Sequence, residues 1–211
     1  MALSKTQKTL AAFFAVVAWL GLITQFYVSM PAYLAKGRTI EGAIIELLSF
    51  FTIQSNILVA VCLSIIAGST SDIGFFKRPR VLTAVAVYIS IVALVYNLVL
   101  RKTFHPVGLA RVSDEILHVA TPALFLIFWV LIIIKAKFKF KFQDGLAWLW
   151  YPLFYLGYIL LRGHFTGLYP YFFLDVPKFG YPQVLINIGA LVLVFLIMDM
   201  LFIWIAKGLS K

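Results

Sequence analysis

Two side chains in this sequence suit acyl-transfer chemistry, Thr52 and His118, and each lies inside a long apolar run. The stretch from Glu46 to Asn56 carries six polar residues: Glu46, Ser49, Thr52, Gln54, Ser55 and Asn56. Polar groups at membrane depth are costly, so they mark a functional site by default. At about 100° per residue, Glu46, Ser49, Thr52 and Asn56 fall within one arc of roughly 120°, and Gln54 and Ser55 fall outside it. A threonine hydroxyl is a weak nucleophile until a neighbouring base takes its proton. A neutral imidazole does this well. Asp114 or Glu115 can orient the His118 ring as the third member of a triad does. Asn56, one turn from Thr52, can donate to a developing oxyanion. The alternative is structural: Thr52 bonds back to the carbonyl of residue 48, and His118 bridges two helices.

His118 belongs to the segment Ser113 to Pro122, on which Asp114, His118 and Thr121 share one narrow helical face. Asp114 and His118 stand four residues apart, which allows a side-chain contact. Pro122 loosens the backbone one turn later and can free a carbonyl toward a pocket. Asn97, Arg101, Arg162 and Asn187 fall in the same half of the membrane as the Thr52–His118 pair. Either arginine can pair with Glu46, Asp114 or Glu115, or it can clasp the carboxylate of an anionic substrate. Asp199 lies toward the opposite end of its segment, where basic groups are expected to meet it. His105 and His164 are expected in loops, facing solvent. The histidines lack ligand spacing and Cys62 is the single cysteine. No metal site, cofactor or disulfide framework is therefore expected.

What must hold these residues is a membrane scaffold. The chain of 211 residues is 63% hydrophobic and 12% charged, with a mean hydropathy of +1.01. A soluble domain of this size cannot bury so much apolar surface. The apolar runs are long and continuous, which excludes a β-barrel. The expected fold is all-α: a polytopic integral membrane protein forming one six-transmembrane-helix bundle over residues 1–211. Its spans are expected at 9–30, 42–67, 81–101, 110–134, 146–163 and 182–206, each near the ~20 residues that cross a bilayer. The first follows Lys5 and Lys8 as a signal peptide would, but no clear cleavage site follows it, so it reads as an uncleaved span.

The net charge of +10 suggests nucleic acid at first sight. The basic residues gather at segment ends instead. Eleven of the eighteen fall on the side that holds both termini, which predicts cytoplasmic termini. The interleaved run 135–142, Lys-Ala-Lys-Phe-Lys-Phe-Lys-Phe, reads as a loop lying on anionic headgroups with its rings in the interface. The segment from Arg162 to Pro182 is rich in Gly, Pro and aromatics, which forbid a continuous helix. It suits a cap over a pocket mouth, or an ordinary ordered loop. Thr52 falls roughly 15 Å into the second span and His118 roughly 12 Å into the fourth, at 1.5 Å per residue from the same side. That agreement lets the two side chains meet, provided the fourth span starts near residue 110.

Several motifs carry a resemblance. They are Phe50-Phe-Thr52-Ile-Gln-Ser-Asn56, Tyr96-Asn97 to Arg101, Leu117-His118 to Pro122, Tyr151-Pro152 through Arg162-Gly163, Thr166-Gly-x-Tyr-Pro170-Tyr171 and Asp175. Together they resemble the prokaryotic "predicted six-pass" membrane proteins, relatives of the animal androgen-induced-gene-like proteins. The resemblance implies a six-helix bundle. For the animal members it implies a membrane threonine hydrolase cleaving fatty acid esters of hydroxy fatty acids, with the catalytic pair at the positions of Thr52 and His118. Its implied partners are membrane lipids and a lipidic ester, and its implied home is the cytoplasmic (inner) membrane of a prokaryote. Two other functions use the same polar pocket. One is a proton-coupled transporter relaying through Glu46, Asp114, Glu115 and His118, although no internal repeat supports it. The other is a lipid-binding protein without turnover.

Overall fold

The computed structural model describes residues 3–70, 74–136 and 138–210. They form helices and connections, with no strand among the described residues. The helices are α1 (Lys5–Ala35), α2 (Ile40–Leu48), α3 (Phe51–Gly68), α4 (Pro79–Leu98), α5 (Leu109–Glu115), α6 (Thr121–Ile133), α7 (Phe142–Trp148), α8 (Trp150–Thr166) and α9 (Val176–Leu209). A π turn, Ile116–Ala120, joins α5 to α6. Among the described residues, five helical stretches are long and apolar enough to cross a membrane: Lys5–Ala35, Phe51–Gly68, Pro79–Lys102, Leu109–Ile133 and Val176–Leu209. They make the molecule an all-helical assembly compatible with a membrane bundle.

Close packing follows from small residues. Ala11, Ala15, Ala18 and Gly21 are buried along one side of α1, which packs on α3 and on the α5–α6 rod. A methyl group at Gly21 would come within 2.5 Å of Ile116, so only glycine admits this approach. Small residues at helix contacts are how membrane helices gain dispersion energy in the absence of a hydrophobic drive. Polar pins supplement the fit: the Trp19 indole donates to Ser64 at 3.1 Å, and the Ser113 hydroxyl ties α5 to the Gly21 carbonyl of α1 at 3.1 Å.

Two expected spans are interrupted. The stretch 42–67 divides into α2 and α3, because Phe50 is extended (φ −80°, ψ 128°). Helix ends leave carbonyls without intrahelical donors, and here side chains supply them. The Gln54 amide donates to the Leu48 carbonyl at 2.8 Å and the Tyr155 hydroxyl to the Ser49 carbonyl at 2.9 Å. The stretch 146–163 falls across α7 and α8, which break at Leu149. Pro152 cannot donate to the Trp148 carbonyl four residues back, and the Tyr88 hydroxyl takes that carbonyl instead at 2.7 Å. The resulting α8 has 17 residues.

The segment 162–182 is more helical than its glycines and prolines suggest. Helix α8 runs through Gly163 and ends at Gly167, whose φ of 69° is left-handed. Gly163 serves packing: a Cβ there would lie 2.1 Å from the Tyr169 ring. His164 consequently sits in the last turn of α8 rather than in a loop, exposed as expected, while His105 is exposed in a connection. Pro177 opens α9 and Gly180 (φ 73°) kinks it just before Pro182.

The basic run 135–142 also differs from its expectation, with Lys137 outside the described residues. Phe140 is buried and Phe142 exposed. The Phe138 ring packs on Phe140 beneath the Arg80 guanidinium. Two of its three rings therefore fold against the protein.

Candidate active site

The break before α3 puts Thr52 in the first turn of a helix with no side-chain N-cap. Thr52 is 9% exposed. Its amide N–H donates to the Tyr171 hydroxyl at 3.3 Å. The Leu48 carbonyl, which a back-bonding threonine would use, is occupied by Gln54.

Helix α5 begins at Leu109, one residue before the expected start of the fourth span. His118 then falls in the π turn. Such turns shift backbone bonding by one residue and recur at functional sites. Here the Thr121 N–H bonds to Ile116, which releases the Leu117 carbonyl. Pro122 has no N–H and releases the His118 carbonyl. Two asparagines take up the released groups. Asn56 donates to the Leu117 carbonyl at 3.2 Å and to the Thr52 carbonyl at 2.9 Å. Asn97 donates to the His118 carbonyl at 3.3 Å and to the Ala93 carbonyl at 2.8 Å. The carbonyl that Pro122 was expected to free is thus present, and a side chain holds it.

His118 is fixed from three directions. Its Nδ1 lies 2.9 Å from the Asp114 carbonyl and 3.0 Å from Asp114 Oδ1. A carbonyl and a carboxylate accept only, so Nδ1 carries the hydrogen and Nε2 bears the lone pair. No hydrogen bond reaches Nε2 from the described residues. The Tyr96 ring stacks on the imidazole at 3.6 Å and 13°, and its hydroxyl donates to Asp114 Oδ2. Asp114 therefore orients the ring, while Glu115 forms an ion pair with Arg101.

Thr52 and His118 line one cavity of about 580 Å³, together with Tyr96, Asp114, Tyr171 and Gln25. Pro170, Tyr171 and Phe172 form part of its wall, so the segment after α8 lines the cavity. A second, apolar cavity of about 50 Å³ adjoins it and shares Thr52, Tyr96, Leu100 and Tyr171.

The remaining expected site residues are placed elsewhere. Glu46, on α2, pairs with Arg38 at 2.9 Å, because the break at residues 49–50 rotates it out of the Thr52 arc. Asn56 spends both amide hydrogens on carbonyls, so it holds the π turn and has no donor left for an oxyanion. Arg101 also donates to Asn97 at 2.9 Å. Arg162 donates to the Leu168 carbonyl at 3.1 Å. Asn187 holds the Phe173 carbonyl at 2.8 Å, which anchors the covering segment from α9. Asp199 is fully buried and neither carboxylate oxygen has a hydrogen-bond partner among the described residues. Arg80, one of the basic groups at its end of the bundle, pairs with Asp144 at 2.8 Å.

Tyr96 and Tyr171 are the residues that sequence reasoning missed as part of the site. A tyrosine reads as an interface anchor in a membrane sequence, and nothing in residue spacing tells it from a hydrogen-bonding wall residue. Compared with protein-family models, with curated proteins and with solved structures, the chain matches none of them.

Proposed function

We propose that this chain is an intramembrane hydrolase of lipid esters, with Thr52 as nucleophile and His118 as general base. The observation that carries the reading is one cavity lined by both Thr52 and His118, with the His118 Nδ1 tied to Asp114 and its Nε2 left without a hydrogen bond among the described residues. His118 Nε2 takes the Thr52 proton as Oγ1 attacks the ester carbonyl carbon. The C–O bond to the alcohol then breaks, and the imidazolium returns the proton to the leaving oxygen. Water, deprotonated by the same nitrogen, cleaves the acyl-threonine and restores the hydroxyl. Burial raises the Tyr171 phenol above its ordinary value, which keeps it a neutral O–H donor. Beside the uncapped first turn of α3, it is placed to meet the oxyanion in the role first expected of Asn56.

In the same proposal the bundle crosses the inner membrane six times with both termini cytoplasmic. Helix α8 is the short crossing: its 17 residues rise about 26 Å, against a hydrocarbon core near 30 Å. The resemblance of the Thr52 and His118 motifs to the membrane threonine hydrolases supports this reading, with membrane lipids and a lipidic ester as partners. Purified protein would be assayed on lipid esters and labelled with a fluorophosphonate. Thr52→Ala and His118→Ala are expected to fall by about a thousandfold or more, and Thr52→Ala loses the label. Wild-type turnover in both folded variants would sink the reading.

A further inference from the structure

Resting on that hydrolase reading, we infer that the small apolar cavity behind Thr52 is the acyl subsite, and that the substrate joins a short acyl group to a lipid alcohol. The two cavities meet at Thr52, Tyr96, Leu100 and Tyr171. An ester carbonyl at the Thr52 hydroxyl therefore has one arm in each. The chemistry decides which arm goes where. His118 must deliver a proton to the leaving alcohol oxygen, and a proton donor has to lie within hydrogen-bond reach of its acceptor. His118 lines the larger cavity and is absent from the smaller one. The alcohol arm consequently lies in the larger cavity and the acyl arm in the smaller.

Size and lining then set the class. The acyl cavity measures about 50 Å³, room for roughly three to five water-sized groups. Its far wall is apolar: Val92, Val95, Leu156, Leu191 and Phe195. A chain of about three to five carbons fills it, and a long fatty acyl chain does not. The larger cavity, at about 580 Å³, is of the size that takes most of a sizeable ligand. It carries polar groups along the way, among them Gln25, Ser29 and Lys36. This narrows the long-chain ester that the resemblance implies to one with a short acyl arm.

The test is a rate profile of purified protein on p-nitrophenyl acetate, butyrate, octanoate and palmitate. Two variants in the far wall accompany it, Val92→Phe to fill the cavity and Leu191→Ala to enlarge it. Butyrate is expected to exceed palmitate by roughly tenfold or more. Val92→Phe should depress butyrate more than acetate, and Leu191→Ala, which spares the fold if Val92→Phe does not, should raise octanoate relative to butyrate. Hydrolysis that is flat across acyl length, or unchanged in profile by Leu191→Ala, overturns the subsite and leaves the hydrolase standing. Hydrolysis of no ester by wild type overturns both.

Discussion

Asp114 and Asp199 are both buried inside the helices, at 5% and 0% exposure. Asp114 meets the His118 Nδ1 through one oxygen and the Tyr96 hydroxyl through the other, and it lines the larger cavity. Asp199 meets no donor among the described residues. Its surroundings are the close-packed side of α7, where Gly145 leaves room for Met200 and Ile203. A charged carboxylate without a partner carries a desolvation cost of several kcal/mol with nothing to offset it. The comparison teaches that depth alone does not mark a site: a buried acid has chemistry to do when it is partnered and faces a cavity that can admit a substrate.

The largest effect should follow from removing the charge of the partnered acid. Asp114→Asn keeps the shape and leaves the backbone carbonyl of that residue on Nδ1, so the tautomer holds, but the ring loses the carboxylate that stabilises its imidazolium state. The expected fall in kcat is about a hundredfold, with KM little changed, because Asp114 acts through His118. The fluorophosphonate labelling rate at Thr52 should fall in parallel. Ester turnover within a few-fold of wild type would break the assignment of Asp114 and return Glu115 to consideration.

How far these features were legible beforehand differs by element. The α-helical membrane class follows from composition, since no other class disposes of 63% hydrophobic residues. The start of α5, and so the place of His118 along its helix, was readable from where apolarity begins. The break at Ser49 and Phe50 was not, because its cause lies in long-range donors: Tyr155 from α8 holds the Ser49 carbonyl. Treating 42–67 as one helix therefore kept Glu46 in the Thr52 arc wrongly. Within the over-polar stretch several polar groups serve the break and the π turn: Gln54 holds the Leu48 carbonyl and Asn56 the Leu117 carbonyl. Asn56 was legible as a polar residue on the face of Thr52, but what its amide holds was not. Whether its amide is free depends on a π turn sixty residues away in sequence, and Pro122 alone does not reveal which carbonyls that turn releases.

A middle-sized effect should come from that amide. Asn56→Ala leaves the Leu117 carbonyl buried without its donor. Unsatisfied buried groups cost about 1–3 kcal/mol, and hydrogen bonds measured inside membrane bundles cluster at the low end, so a loss of about 1–2 kcal/mol is expected. Thermal denaturation in detergent reads it. Because the π turn also sets the His118 ring, kcat should drop by about tenfold. A variant that loses stability and keeps full kcat would show that the π turn is a packing feature only.

The smallest effect belongs to the other aspartate. Asp199→Asn removes a carboxyl that makes no hydrogen bond, within nearly the same volume. Nothing partnered is lost, so stability should stay within about 1 kcal/mol of wild type, and ester hydrolysis should be unchanged because Asp199 lines neither cavity. Paired with Asp114→Asn, the same substitution at two buried sites isolates the value of the partners from that of burial. If Asp199→Asn abolished turnover while Asp114→Asn spared it, the polar pocket around His118 would not be where the chemistry occurs. A proton-coupled role for the α9 carboxyl would then be the stronger reading.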